Sequence, residues 1–251
     1  TLWQPSFIGA FFLSCLVVFI LVLSISWYRG QDLAAASFNG LSASYSNTGY
    51  MGIPLCLLAL GQDGLAPAII STFIVILMFA LATVLIEIGV LSHKKSHEIF
   101  WSATKSLCSN PLLISPVVGL IWSASDLVLY DPIAQAISFL AAAATPCALV
   151  SIGLFLTKKS EATRGQTWSI SFAKLIIQPV IAWVIAGPIL GLPTLWMNAI
   201  MILSALPTGT GPFMLAQYYK ADGSVISRVV LLTTIGSLLT LTFFLWWNTR
   251  V

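Results

Sequence analysis

The sequence predicts an all-α integral membrane protein in which two of the helices are interrupted. Of the 251 residues, 58% are hydrophobic and only 8% are charged, whereas a soluble domain carries about 25% charged residues. The apolar residues form runs of about 20 residues, the length that a helix needs to cross a bilayer. Two of these runs contain glycine, proline and small polar residues near their centres. Almost the whole chain is therefore expected to lie within a membrane.

Eight segments meet this length requirement, and we expect eight spans with no soluble domain. The six uninterrupted segments cover residues 5–28, 67–91, 107–125, 132–156, 166–190 and 225–247. The two interrupted segments cover residues 42–60 and 195–219. Pro5 suits the start of the first segment, because the first turn of a helix tolerates proline.

The two interrupted segments share a pattern. Residues 44–61 read SYSNTGYMGIPLCLLALG, and residues 204–219 read SALPTGTGPFMLAQYY. Two helices broken near the middle of the membrane, in corresponding halves of one chain, indicate the binding site of a secondary transporter. The residues predicted to form the breaks and the crossover are Gly52, Pro54, Pro207, Gly211 and Pro212.

The two halves of the chain also predict an internal repeat. When Pro54 is superposed on Pro212, each half runs from a glycine–proline pair through half a helix to an Asp-Gly turn and a long helix. The distribution of lysine and arginine residues among the loops places the two Asp-Gly turns on opposite sides of the membrane. We therefore expect an inverted repeat in which segments one to three correspond to segments six to eight.

Basic residues predict the orientation of the chain. Nine of the 11 lysine and arginine residues lie in or beside alternate loops on one side: Arg29, Lys94, Lys95, Lys105, Lys158, Lys159, Arg164, Lys220 and Arg228. The loops on the other side contain Asp63, Asp126 and Asp131, and only Arg250 departs from this asymmetry. Because positively charged loops stay in the cytoplasm, both ends of this chain are expected on the non-cytoplasmic side.

The sequence contains no pattern that predicts an enzyme or a metal site. It has no H-E-x-x-H motif, no P-loop and no Ser-His-Asp set, and its four cysteines lack metal-binding spacing. We therefore expect no catalytic residues, no cofactor, no bound metal and no nucleic-acid partner.

The residues around the breaks predict an anion site. The N-terminal end of a helix presents unpaired N–H groups and about half a positive charge, which favours a carboxylate. Side-chain or backbone groups beside the breaks supply further contacts. The predicted substrate-binding residues here are Asn47, Thr48, Gly49, Thr208, Gly209, Thr210 and Gln217. The alternative is that these polar groups only cap the ends of the broken helices.

Lys174 and Glu87 are the ionisable residues that lie well inside predicted spans. A charge within a membrane is costly unless it faces the protein interior and has a partner. We expect Lys174 to bind the substrate and Glu87 to serve in ion coupling. Because the two residues are predicted to lie at similar depths in the membrane, a Lys174–Glu87 pair is a hypothesis. A purely structural pair, or a lysine that extends towards the interface, is the alternative.

Five strings in this sequence resemble the auxin efflux carrier family, which includes plant PIN-type carriers and bacterial malonate-permease-like members. They are NTGYMGIPLCLLALG, NPLLISPVVGLIWS, ATPCALVSIGLFL, KLIIQP and ALPTGTGPFMLAQYY. The resemblance implies ten helices in two inverted five-helix repeats, with the fourth and ninth helices broken and crossing. On this basis the chain supplies the third to tenth helices, and two helices are expected before Thr1.

The resemblance also implies domains and a mechanism. Residues 1–92 and 166–247 would form the transport domain, and residues 107–157 would belong to the scaffold, through which a homodimer could form. The expected function is elevator-type alternating access for a small organic carboxylate such as malonate across a bacterial inner membrane. The alternatives are a sodium-coupled carrier similar to bile-acid symporters and a membrane receptor or subunit without transport. Proton coupling, sodium coupling and no coupling remain open.

Overall fold

The computed structural model describes residues 4–91, 101, 104–105, 108–109, 111–125, 127–156 and 164–248. Within these ranges the longer elements are all helices. They are α1 (Pro5–Tyr28), α2 (Leu33–Ser44), α3 (Ile53–Leu60), α4 (Leu65–Val90), α5 (Pro111–Ala124), α6 (Asp131–Leu156), α7 (Arg164–Ile189), α8 (Thr194–Ala205), α9 (Gly211–Tyr218) and α10 (Ser224–Asn248). Part of the predicted orientation signal lies outside the described residues, namely Lys94, Lys95, Asp126, Lys158, Lys159 and Arg250.

Four helical stretches in the described ranges are long and apolar enough to cross a membrane. They cover Pro5–Tyr28, Thr48–Val90, Arg164–Ile189 and Ser224–Trp246. The second includes a tight 3-10 turn at Gly61–Gly64, where Gly61 has a φ of 69°. The apolar helix α8 is shorter. This architecture agrees with the predicted all-α membrane class, while the number of spans stays a prediction.

The first interruption lies earlier in the chain than expected. Helix α2 begins at Leu33, after Asp32 accepts a hydrogen bond of 2.7 Å from Ala35 N, and it ends at Ser44. Residues 45–47 are not helical, and a π turn (Thr48–Gly52) then leads into α3. Gly52 and Pro54 therefore lie within helical turns. Proline is tolerated at Pro54 because the first turn of a helix does not need its missing N–H group.

The second interruption covers residues 206–210, between α8 and α9. Pro207 lies within it, whereas Gly211 and Pro212 form the first turn of α9. The same order of elements thus occurs twice in the structure. A long helix (α1 or α7) precedes two half-helices (α2 and α3, or α8 and α9), and a second long helix (α4 or α10) follows.

Helix α7 is continuous but contains two π turns, at Ala173–Ile177 and Ile185–Ile189. Proline lacks an N–H group and its ring clashes with the preceding turn, so a helix that contains proline must widen or bend. Pro179 follows the first π turn, and Pro188 lies in the second. The first π turn contains Lys174, which is fully buried.

Helices α1 and α2 approach each other closely at Gly40. A Cβ atom built on Gly40 would lie 2.8 Å from the backbone oxygen of Phe19 and 3.2 Å from its ring. Small residues at helix contacts allow such close backbone approach in membrane proteins. The phenylalanine side chains of α1 and Leu41 of α2 belong to the same buried core.

We predict that Gly40→Ala lowers the free energy of unfolding by about 1–3 kcal/mol, the usual cost of overpacking. Gly9→Ala is the matched control, because a Cβ at Gly9 in α1 meets no atom within 4 Å. Alanine is the better helix former, so the control is expected to be neutral or stabilising by up to about 1 kcal/mol. Thermal unfolding in detergent measures both. A Gly40→Ala protein as stable as the control would contradict the packing described.

Candidate functional site

The two interruptions lie side by side and pair through their backbones. Ser46 and Thr208 form an antiparallel bridge. Asn47 N donates to Pro207 O and Gly209 N donates to Tyr45 O, each over 3.0 Å. Backbone groups that leave a helix in an apolar environment need other partners. Here each interruption supplies partners for the other, and we call this pairing of residues 45–47 with residues 207–209 the crossing.

Thr208 also links the crossing to neighbouring helices. Its Oγ1 donates a 2.7 Å hydrogen bond to Ser42 O in the last turn of α2, and its N–H donates to Thr233 Oγ1 over 3.1 Å. The last four carbonyl groups of a helix lack partners within the helix. Thr208 is only 1% exposed, so its hydroxyl caps α2 from the opposite interruption.

Lys174 reaches the crossing from α7. Its Nζ donates to Ser46 Oγ over 3.0 Å, to Gln178 Oε1 over 2.7 Å and to Ser204 O over 2.9 Å. Gln178 in turn donates from Nε2 to Ser44 O and to Cys15 Sγ, each over 3.3 Å. Lys174 and Gln178 thus contact the C-terminal ends of both α2 and α8.

The hypothesis that Lys174 pairs with Glu87 is wrong. Glu87 is buried on α4, and its Oε1 accepts a 2.7 Å hydrogen bond from the Tyr219 hydroxyl at the end of α9. The partners of Lys174 are instead the serine, glutamine and carbonyl oxygens at the crossing. The sequence alone suggested similar depths for these two residues, but side-chain direction decides which groups meet.

A cavity of about 240 Å³ opens beside the crossing. Its lining contains five of the predicted substrate-binding residues, Asn47, Thr48, Gly49, Gly209 and Thr210. The remaining lining residues are Tyr45, Ser46, Tyr50, Thr72, Val75, Ile76, Phe79, Pro116, Gly211 and Met214. Lys174, Thr208 and Gln217 are not in the lining. Gln217 is exposed, near the turn at Gly223.

Two helix N-terminal ends reach this cavity. One is the helical stretch that begins with the π turn at Thr48, and the other is α9, which begins at Gly211. Among the described residues, the backbone N–H groups of Gly49, Tyr50 and Gly211 have no acceptor. The Asn47 side chain makes no capping hydrogen bond to the π turn that follows it. These donors therefore remain available to a ligand.

An aromatic ring packs against the backbone of the second interruption. A Cβ atom at Gly209 would lie 2.9 Å from the Tyr45 ring, and one at Gly211 would lie 2.5 Å from it. The Tyr45 ring also meets the Phe79 ring edge to face, with centroids 6.1 Å apart. Only glycine at positions 209 and 211 lets this ring lie against the crossing, which explains the two glycines at the end of the second interruption and the start of α9.

Sequence reasoning missed several residues of this region. Tyr45 and Ser46 immediately precede the predicted site residue Asn47, and extending that site by two residues would have included them. Gln178 stands four residues after Lys174, the spacing that brings side chains together on a helix. Thr72 lies in a separate helix with no local polar pattern, and only the fold brings it to the cavity.

Comparison with known proteins agrees with this architecture. A family model described as membrane transport protein matches residues 2–245. The chain belongs to the auxin efflux carrier family of membrane transport proteins. It is therefore an integral membrane protein of a transporter family, and the predicted resemblance is confirmed.

Three relatives are similar in sequence to this auxin efflux carrier family member. A Rhizobium meliloti (strain 1021) protein named "Putative malonate transporter" is 29% identical over 92% of this chain and 73% of its own length. An uncharacterized transporter of Methanocaldococcus jannaschii is 28% identical over 94% of this chain and 76% of its own length. Auxin efflux carrier component 7 of Arabidopsis thaliana is 29% identical over 51% of this chain and 22% of its own length.

We predict that Thr208→Val destabilises the protein by about 1–3 kcal/mol, because Ser42 O then becomes a buried acceptor without its donor. The control is Thr234→Val, whose hydroxyl donates only within its own helix, to Val230 O over 2.7 Å. The control is expected to lose less than about 1 kcal/mol. Equal losses in thermal unfolding would mean that the hydrogen bond from Thr208 to α2 contributes no more to stability than a bond within one helix.

Proposed function

We propose that this protein is a secondary carrier of small organic carboxylates and that the carboxylate binds in the cavity beside the crossing. The observation that supports this most strongly is the convergence of two helix N-terminal ends on one cavity. Each such end carries about half a positive charge, so together they favour about one negative charge. Cations would be disfavoured there for the same reason.

The donors of the cavity suit a carboxylate group. Carboxylate oxygens accept hydrogen bonds from backbone N–H groups, amides and hydroxyls. Gly49, Tyr50 and Gly211 offer backbone donors, while Asn47 offers its side-chain amide. Thr48 and Thr210 belong to the same lining. The predicted site residues Asn47, Thr48, Gly49, Gly209 and Thr210 are thus proposed to contact the substrate.

The size of the cavity favours a small substrate. Pockets for drug-sized ligands measure about 300–1,000 Å³, and this one measures about 240 Å³. The Rhizobium meliloti relative is named for malonate, which is a small dicarboxylate. We therefore propose malonate as the first compound to test, with other short carboxylates as competitors.

We further propose an elevator-type mechanism in a bacterial inner membrane. The helix order that occurs twice, α1 to α4 and α7 to α10, would form two inverted repeats whose half-helices cross near mid-membrane. These elements would move together against a scaffold that contains α5 and α6, which would also form a homodimer contact. Thr208 is part of the crossing and Lys174 bonds to it, so both would support the site from outside the lining. Gln217 lies near Gly223 and is not proposed to contact the substrate. A coupling role for Glu87 remains a proposal.

The test compares uptake of radiolabelled malonate into liposomes that contain the purified protein. We predict that Asn47→Asp lowers the initial rate by about tenfold or more, because it replaces a donor with a negative charge beside the substrate. Asn198→Asp, at a half-buried asparagine of α8 outside the lining, is the matched control and should keep the rate of the original protein.

Two results would overturn parts of this proposal. Equal malonate uptake by Asn47→Asp and the control would remove the cavity from the transport path. A malonate-induced rise in melting temperature without uptake of any tested carboxylate would favour a receptor over a carrier, and the loss of that rise in Asn47→Asp would still assign the binding site.

A further inference from the structure

The C-terminal ends of two half-helices meet on the side of the crossing that faces α7. Ser44 O belongs to the last residue of α2, and Ser204 O belongs to the last turn of α8. Helix C-terminal ends carry about half a negative charge each. In transporters built from discontinuous helices, such ends and unwound carbonyls coordinate sodium. The crossing therefore contains a position that favours a cation.

In this protein a side chain occupies that position. Lys174 is 0% exposed, and its three contacts are the oxygens of Ser46, Gln178 and Ser204, at 2.7–3.0 Å. An ammonium group has three N–H donors and no acceptor. The three oxygens thus satisfy every donor of the ammonium, and no acidic side chain is among these contacts. The negative ends of the two half-helices supply the compensating charge.

Gln178 connects Lys174 to the second half-helix through hydrogen bonds. Its Oε1 accepts from Lys174, and its Nε2 donates to Ser44 O over 3.3 Å. One lysine therefore contacts the end of α8 directly and the end of α2 through a glutamine. Gln178 is also fully buried, and Cys15 Sγ accepts its other contact. Both side chains are held in place by their neighbours.

We propose that Lys174 takes the place of a bound metal cation at the crossing and that the protein therefore works without sodium. The ammonium is a tethered cation that holds the two half-helix ends together, while Ser46, one of its acceptors, lines the cavity on the other side. Lys174 is thus a positioning residue that acts through Ser46. The transport consequence rests on the proposed function, but the cation replacement is measurable without any substrate.

The first experiment measures thermal unfolding in choline, sodium and potassium chloride at one ionic strength. The unsubstituted protein should melt at the same temperature in all three salts. Lys174→Ala leaves three oxygens around a vacated space, so it should melt lower in choline and regain part of the loss in sodium or in methylammonium chloride. Lys174→Met fills the space with an unbranched apolar chain, so neither cation should raise its melting temperature.

The second experiment measures malonate uptake in the same salts. The unsubstituted protein should show equal rates in choline and sodium. Lys174→Ala should lose about tenfold or more in choline, at least the effect of losing the charge-assisted hydrogen bond to Ser46. Sodium or methylammonium should restore part of the rate. A lysine that only fills space would give no such rescue, and Lys174→Met would then perform better than Lys174→Ala in every salt.

Two outcomes would overturn the proposal. One is that the unsubstituted protein melts at a higher temperature, or takes up malonate faster, in sodium than in choline at the same ionic strength. The other is a Lys174→Ala protein whose response to the cations equals that of Lys174→Met. If Lys174→Ala does not fold in any salt, cation rescue has failed and the proposal fails with it. Absence of malonate uptake in every variant would instead overturn the proposed function, because the melting comparison needs no substrate.

Discussion

The structure depends on the hydrogen bonds between its two helix interruptions. An interrupted helix leaves N–H and C=O groups without helical partners, and an apolar environment offers no water to replace them. One interruption alone would carry that cost in full. Placed side by side, residues 45–47 and 207–209 donate and accept between themselves. Thr208 and Lys174 satisfy further carbonyls that the backbone pairing does not reach.

This pairing separates the C-terminal ends of the helices from the N-terminal ends. The C-terminal ends of α2 and α8 meet Lys174 and Gln178, whereas the N-terminal ends of the following helical stretches reach the cavity. A single crossing thus has one side that favours positive charge and one side that favours negative charge. Lys174 supplies the positive charge on the first side, and the proposed carboxylate would supply the negative charge on the second. This asymmetry supports the proposal that the cavity binds an anion.

Much of this arrangement follows from local sequence rules, and the remainder follows from tertiary packing. The all-α membrane class follows from composition, and the region of the second interruption follows from Pro207 and its neighbouring glycines. The first interruption was misplaced because Pro54 fits the first turn of a helix, and a glycine such as Gly52 does not by itself end one. The actual break begins at Tyr45, which carries no helix-breaking signal; the Tyr45 ring instead packs against glycines about 165 residues away.

The partner of Lys174 shows why depth alone does not determine contacts. Sequence placed Lys174 and Glu87 at similar levels, yet opposite charges pair only if their side chains point towards each other. Lys174 lies in a π turn, whose hydrogen bond spans one residue more than that of an α-helix. Side chains in this turn therefore point in directions that differ from those of a regular α-helix. The sequence signal for this turn is Pro179, but its effect on the direction of Lys174 appears only in three dimensions.

The same contacts constrain how the proposed carrier can move. Ser46 accepts from Lys174 on one side and lines the cavity on the other, and Asn47 both bonds to Pro207 and borders the cavity. A local rearrangement of either interruption would break its bonds to the other and expose unpaired backbone groups to an apolar environment. Motion of the crossing as one body preserves all of these bonds. We infer that the proposed carrier would move its substrate together with the intact crossing, since the proposed binding site and the hydrogen bonds that hold the fold together share the same residues.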